Sequence, residues 1–203
     1  MTAADAPPDA PSHPRPPAAP ATLARAHWSE PADGQPPPIA GFVVSSFSPL
    51  VAAVAERCLR AAHGTPQAAD PRRVGRTALV LASTGGDRAT ADAVTHAVTQ
   101  GRKVPPLLFF QSNPNAVAGH ITARWGLRGP VGCVRTARDG DALADALAAA
   151  ELLLLAGEAD EVLAIAAEAG PGTPDEAHAL LLAPPPPGSP AGPPPQPKGD
   201  PHP

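Results

Sequence analysis

Residues 131–157 read VGCVRTARDGDALADALAAAELLLLAG, and this stretch decides the fold. The apolar opening, VGCVR over 131–135, reads as a strand. From about Gly140 to Ala156, Ala142, Leu143, Ala146, Leu147, Ala150, Leu153 and Leu154 recur at helical spacing along one face. Asp141 and Asp145 sit at the start of that helix, where the aligned peptide dipoles favour carboxylates. Gly157 closes it. Asp145 and Glu151 interrupt the apolar stretch, so it predicts a water-exposed helix and no membrane span. A strand feeding a helix is one βα unit.

Further βα units lie upstream. Residues 77–83, TALVLAS, form a strand, followed by the turn Thr84-Gly85-Gly86-Asp87 and a helix running to about Gln100. Residues 39–47, IAGFVVSSF, also read as a strand. Ser48 and Pro49 then supply a cap and a first-turn proline. Leu50, Val51, Val54, Ala55, Cys58, Leu59 and Ala62 carry the apolar stripe of a helix ending at Gly64. Asn113-Pro114 opens another helix, with Val117, Ala118, Ile121 and Trp125 on one side, while 102–112 with Pro105-Pro106 reads as extended. EVLAIA at 161–166 and HALLLA at 178–183 are two short strands. The order βαβα, helix, βα, ββ predicts an α/β domain with a mostly parallel sheet and helices on both faces. The continuous apolar strands suit a sheet covered on both sides.

Composition sets the limits of this domain. Residues 1–38 hold 11 of the 31 prolines, and 184–203 hold another 11. Proline lacks a backbone donor and fixes φ, so both ends are expected to be disordered tails around a domain at 39–183. Its length of about 145 residues suffices for one core burying roughly 68–70% of the unfolded surface. The net charge of −4 leaves no electrostatic footprint for nucleic acid. The N-terminal residues lack the basic start and apolar run of a signal peptide. Cys58 and Cys133 have neither disulfide nor zinc spacing, so the expectation is a reducing cytoplasm and no metal or cofactor.

With these elements in order, the chain resembles the N-terminal half of a thiolase-fold β-ketoacyl synthase. The resemblance rests on IAGFVVSSFSPL, RVGRTALVLASTGGD, NPNAVAGHITARWGLRGP, AGEADEVLAIAAE and DEAHALLLAP, and spans about 39–184. It resembles the short N-terminal-domain proteins of that family and, more loosely, chain-length factors. Such an enzyme needs a Cys at a helix N-terminus to attack an acyl thioester. It also needs two His, or a His and an Asn, and an oxyanion hole of backbone amides. The resemblance places the Cys directly after Thr136-Ala137, where this chain has Arg138, a permanent cation that cannot be a nucleophile. No Cys, Ser or Thr occurs in 137–157. The family's catalytic His residues belong to a second half that has no counterpart in this sequence.

The resemblance therefore implies a non-catalytic subunit or accessory protein in fatty-acid-like or polyketide assembly. Its expected partners are a full-length ketosynthase, an acyl carrier protein or a second copy. In the family's dimers the strand before the nucleophile pairs across the two-fold axis. That implies an interface from Val131, Gly132, Cys133, Val134, Arg135 and Thr136, with Asn113, Val117 and His120 of the adjacent helix. Two alternatives stay open from the residues themselves. Cys133, expected to be a buried structural thiol, could serve an acyltransferase together with a partner chain. The turn at Thr84–Asp87 could hold a nucleotide or coenzyme A on helix N-terminal amides, although it lacks GxGxxG and GKS/GKT patterns. Ordinary roles are the expectation for a partly buried His120 and for Cys58 on the stripe.

Overall fold

A computed structural model describes residues 18–137, 140–170 and 173–187. In chain order the elements are β1 (Ala21–Ser29), α1 (Glu30–Asp33), α2 (Phe47–His63), α3 (Pro71–Val74), β2 (Thr77–Ser83), α4 (Arg88–Thr99), α5 (Pro106–Gln111), α6 (Asn115–Trp125), β3 (Val131–Arg135), α7 (Ala142–Leu155), β4 (Glu161–Gly170) and β5 (Thr173–Ala183). One five-stranded sheet has the order β1-β5-β4-β2-β3. The parallel character expected from βα alternation holds for β3-β2-β4. The β4–β5 hairpin then reverses the chain, and β1 joins β5 antiparallel, so the sheet is mixed.

The two faces of the sheet differ in side-chain size, and this sets what covers them. Leu79, Leu81, Leu163, Ile165, Ala177, Ala179 and Leu181 point to one face and pack against α2 and α6 through Phe47, Leu50, Leu59, Val117 and Trp125. Ala78, Val80, Ala82, Val162 and Ala164 point to the other, where small side chains let α7 approach through Ala146 and Ala150. Each fully buried Leu or Ile contributes roughly 1.5–3 kcal/mol of transfer free energy. The helix face that sequence periodicity assigned to α2 is the buried one, Cys58 included. Gly129 is fixed by backbone proximity: a Cβ there would lie 2.7 Å from the Thr77 carbonyl oxygen. That contact holds the α6–β3 connection against the start of β2, where Gly129 N donates to Thr77 O.

Three expectations are corrected. The sheet's first strand is β1 at Ala21–Ser29, inside the stretch expected to be a disordered tail, and α1 follows it. Ala24, Ala26 and Trp28 alternate inward against the larger core, which gives β1 the period of two that an edge strand needs. Residues 39–46 form no strand. Gly41 has φ +93°, Phe42 N donates to Ile39 O, and Val43 is 88% exposed, so this apolar run is used in a turn into α2. The helix begins at Phe47, with the Ser45 hydroxyl accepting from Ser48 N at 2.8 Å. Finally, 106–111 is helical instead of extended, because Pro106 occupies a first-turn position where its missing N–H costs nothing. The expected C-terminal tail lies outside the described residues from 188 onward, and the N-terminal one up to 17.

Candidate functional site

The carboxyl ends of the strands surround a cleft of about 510 Å³ lined by Thr84, Asp141, Glu168, Glu176 and His178 among others. In open α/β sheets this crevice is where ligands bind. The β3–α7 junction forms one wall. Thr136 is buried, its N donating to Ser83 O at 3.1 Å, and its hydroxyl has no hydrogen-bond partner among the described residues. Arg138, expected from the resemblance to fall at the nucleophile position, and Asp139 lie outside the described residues. Asp141 is the N-cap of α7, and its carboxylate accepts from Leu143 N at 2.9 Å and Ala144 N at 3.2 Å. The positive end of the helix, which in an acyltransferase would stabilise a thiolate, is thus occupied by a fixed anion of the chain itself.

A second wall is the Gly-rich turn after β2. The sequence left open that its amides hold a phosphate. They are already bonded: Thr84 N and Gly85 N (the latter at 3.1 Å) donate to the Glu168 carboxylate, reaching across from β4. Gly86 N donates to the Ser83 hydroxyl at 2.8 Å, and Asp87 caps α4 by accepting from Thr90 N at 3.1 Å. Gly86 takes φ +63°, the left-handed conformation a side chain resists. Adding a phosphate would place it against Glu168, and like charges at hydrogen-bond distance repel. The turn is a self-satisfied βα connection, and the phosphate alternative fails on that ground.

Cys133 corrects another expectation. It is exposed, not buried, because β3 is an edge strand and residues 131, 133 and 135 face away from the α7 side. Its sulfur is nevertheless turned toward α6 and donates to Asn115 Oδ1 at 2.9 Å. Partial desolvation of that sulfur pushes the thiol pKa up, favouring the protonated form. No hydrogen bond joins Cys133 to His120. His120 is half-buried, edge-on to Phe42 at 6.2 Å, and lines a separate cleft with Glu56 and Arg124. Cys58 is buried and pushed up to about 11 by burial, so it is inert.

Of the other expected interface residues, Val131 is 47% exposed, Arg135 and Asn113 are exposed, and Gly132 and Val134 are half-buried. Val117 lies wholly inside the core and Thr136 is buried, so neither presents a surface; both support β3 from behind. Sequence reading missed Glu168, whose role depends on strand pairing, and one donor cluster. His27, Glu176 and His178 bring three potential ligand atoms within 4.8 Å of one another. The one sequence signal was the alternation of β1, hidden by neighbouring prolines.

A mixed five-stranded sheet with α2 and α6 on one face and α7 on the other is a thiolase-type α/β domain. The family profile described as "Beta-ketoacyl synthase, N-terminal domain" matches residues 25–180, more than half of the chain, and the chain belongs to the β-ketoacyl synthase family. Among solved structures, it is similar to a ketosynthase in complex with its chain length factor from Xenorhabdus doucetiae (25% identity, TM-score 0.56, 73% of this chain and 61% of that one). It is also similar to the ishigamide ketosynthase/chain length factor (20%, TM-score 0.56, 76% and 47%). A third is a type II polyketide synthase acyl-carrier protein in complex with its ketosynthase bound to the hexaketide (14%, TM-score 0.59, 80% and 61%). The last two likenesses concern the fold alone. The chain spans between 47% and 61% of the length of these three structures. No curated protein matched the sequence. Among the described residues no helix is long and apolar enough to cross a membrane.

Proposed function

We propose that this domain is a non-catalytic ketosynthase-like subunit of polyketide or fatty-acid-like assembly that pairs with an active β-ketoacyl synthase, as a chain length factor does. One observation carries the reading: the entry to α7 holds the Asp141 carboxylate and no thiol, and 137–157 contains no Cys, Ser or Thr. The likeness to a ketosynthase solved with its chain length factor supports this choice of partner. The pairing edge is β3, which ends the sheet and leaves one row of backbone donors and acceptors unpaired among the described residues. Val131, Cys133 and Arg135 flank that edge, with Gly132 and Val134 between them, while His120 faces the separate cleft beside Glu56 and Arg124. Two unbridged thiols suit a reducing compartment such as the cytoplasm.

The experiment has two arms. Incubation with an acyl thioester of an acyl carrier protein, followed by intact-mass measurement, is expected to leave the chain unmodified. Mixing with the full-length ketosynthase encoded nearest to it is expected to give a complex on size exclusion that Val131→Asp weakens. An acyl adduct that disappears in Cys133→Ala would establish the acyltransferase alternative instead.

A further inference from the structure

On the α7 side of the sheet, beside the cleft that Ala142 and Leu143 of α7 also line, β1 and β5 set three side chains against one another. His27 stands directly opposite His178 in the antiparallel register. Glu176 is two residues before His178, hence on the same face. The imidazole rings stack with centroids 4.5 Å apart and 27° between planes. His27 Nε2 lies 2.9 Å from Glu176 Oε1, and His178 Nε2 lies 3.4 Å from the same oxygen. All three side chains are roughly half exposed, so an ion could enter without opening the core.

We propose that His27, Glu176 and His178 form a binding site for a first-row divalent transition-metal ion of the Zn²⁺ class. Two imidazoles and one carboxylate are a donor set such ions accept with a further position left to water. Imidazole donors favour these ions over Mg²⁺ and Ca²⁺, which prefer all-oxygen shells. Tetrahedral ligation with metal–ligand bonds of about 2.0–2.2 Å puts donor atoms roughly 3.3–3.6 Å apart. The two imidazole–carboxylate separations lie at or just below that range, and the 4.8 Å limit on all three atoms leaves only small side-chain rotations to close it. The strands fix the Cα positions, so the set is largely preorganised. The bound ion would cross-link the edge strand β1 to β5. This inference does not depend on the partner assigned above.

The test is titration of the full, tag-free chain with Zn²⁺ by calorimetry and with Co²⁺ by visible absorption, at a pH where imidazoles are neutral. One saturable equivalent with Co²⁺ d–d bands is expected. His27→Ala and His178→Ala should each weaken binding at least tenfold, and Glu176→Gln by a smaller factor. His96→Ala, on an exposed face of α4, should leave binding unchanged. Circular dichroism checks that each variant keeps its fold. Glu176→Gln, nearly isosteric and exposed, provides a readout even if an alanine variant fails to fold. Absence of saturable binding into the millimolar range, or binding undiminished by both His variants, would mean a hydrogen-bonded His–Glu cluster only, and would overturn the proposal.

Discussion

Whether Cys133 behaves as a nucleophile is decided by its ionisation, and alkylation across a pH series measures that directly. An ordinary thiol of pKa about 8.5 is roughly one-tenth thiolate at pH 7.5. The sulfur of Cys133 is partly desolvated, and among the described residues no cation is bonded to it and its one hydrogen bond goes out to Asn115 Oδ1 at 2.9 Å. Both features favour the neutral thiol, so its thiolate fraction at pH 7.5 falls below that tenth. The single-pH rate is a poor reporter, because a low-pKa thiolate is intrinsically less nucleophilic, with a Brønsted slope of about 0.4–0.5. The pH midpoint has no such ambiguity. Reaction of the native chain with iodoacetamide, followed by intact mass, should give one adduct, at Cys133. Its rate should climb about tenfold per pH unit through neutrality, with a midpoint above 8.5. Cys58 serves as the internal control: buried and pushed up to about 11, it should react only in denaturant. A rate plateau at or below pH 7 that vanishes in Cys133→Ala would refute the reasoning and restore an activated thiol.

Two further outcomes test the packing. Glu161 is buried at the start of β4, accepting from Arg73 Nε at 2.5 Å and the Thr77 hydroxyl at 3.3 Å, with His63 Nε2 at 3.1 Å but misaligned for a hydrogen bond. Glu161→Ala removes the acceptor of the half-exposed Arg73 while the Thr77 hydroxyl keeps the Arg73 carbonyl, so urea unfolding should show a loss of about 1–3 kcal/mol, and a loss under about 0.5 kcal/mol would mean that water already solvates the cluster. Glu56 lies partly buried, which pulls its pKa up, but hydrogen bonds from Arg124 and Trp125, the attraction of Arg124 and a bond from Arg60 outweigh this and leave it lowered. Its stabilisation is therefore full above the unfolded carboxylate pKa of about 4.3 and is lost as pH falls through the lower folded value. The Tm gap between wild type and Glu56→Gln should shrink in acid, and a gap independent of pH would count against the ion pair.

What the sequence by itself determined is local. The 3.6-residue stripes of α2, α6 and α7 and the apolar runs of β2, β3 and β4 were legible because each element's burial is encoded in its own side-chain period. So was the lack of a thiol between 137 and 157, a covalent fact that no folding can alter. Tertiary structure alone decided the rest. ATLARAHWS became β1 only by pairing with β5, some 150 residues away, since an edge strand with small inward side chains has too weak a local signal to outweigh the prolines that flank it. The Glu168 clamp on the Gly-rich turn and the His27–Glu176–His178 cluster arise the same way. Each joins groups from separate strands, and strand register is set by burying a whole sheet face, which no short window of sequence contains.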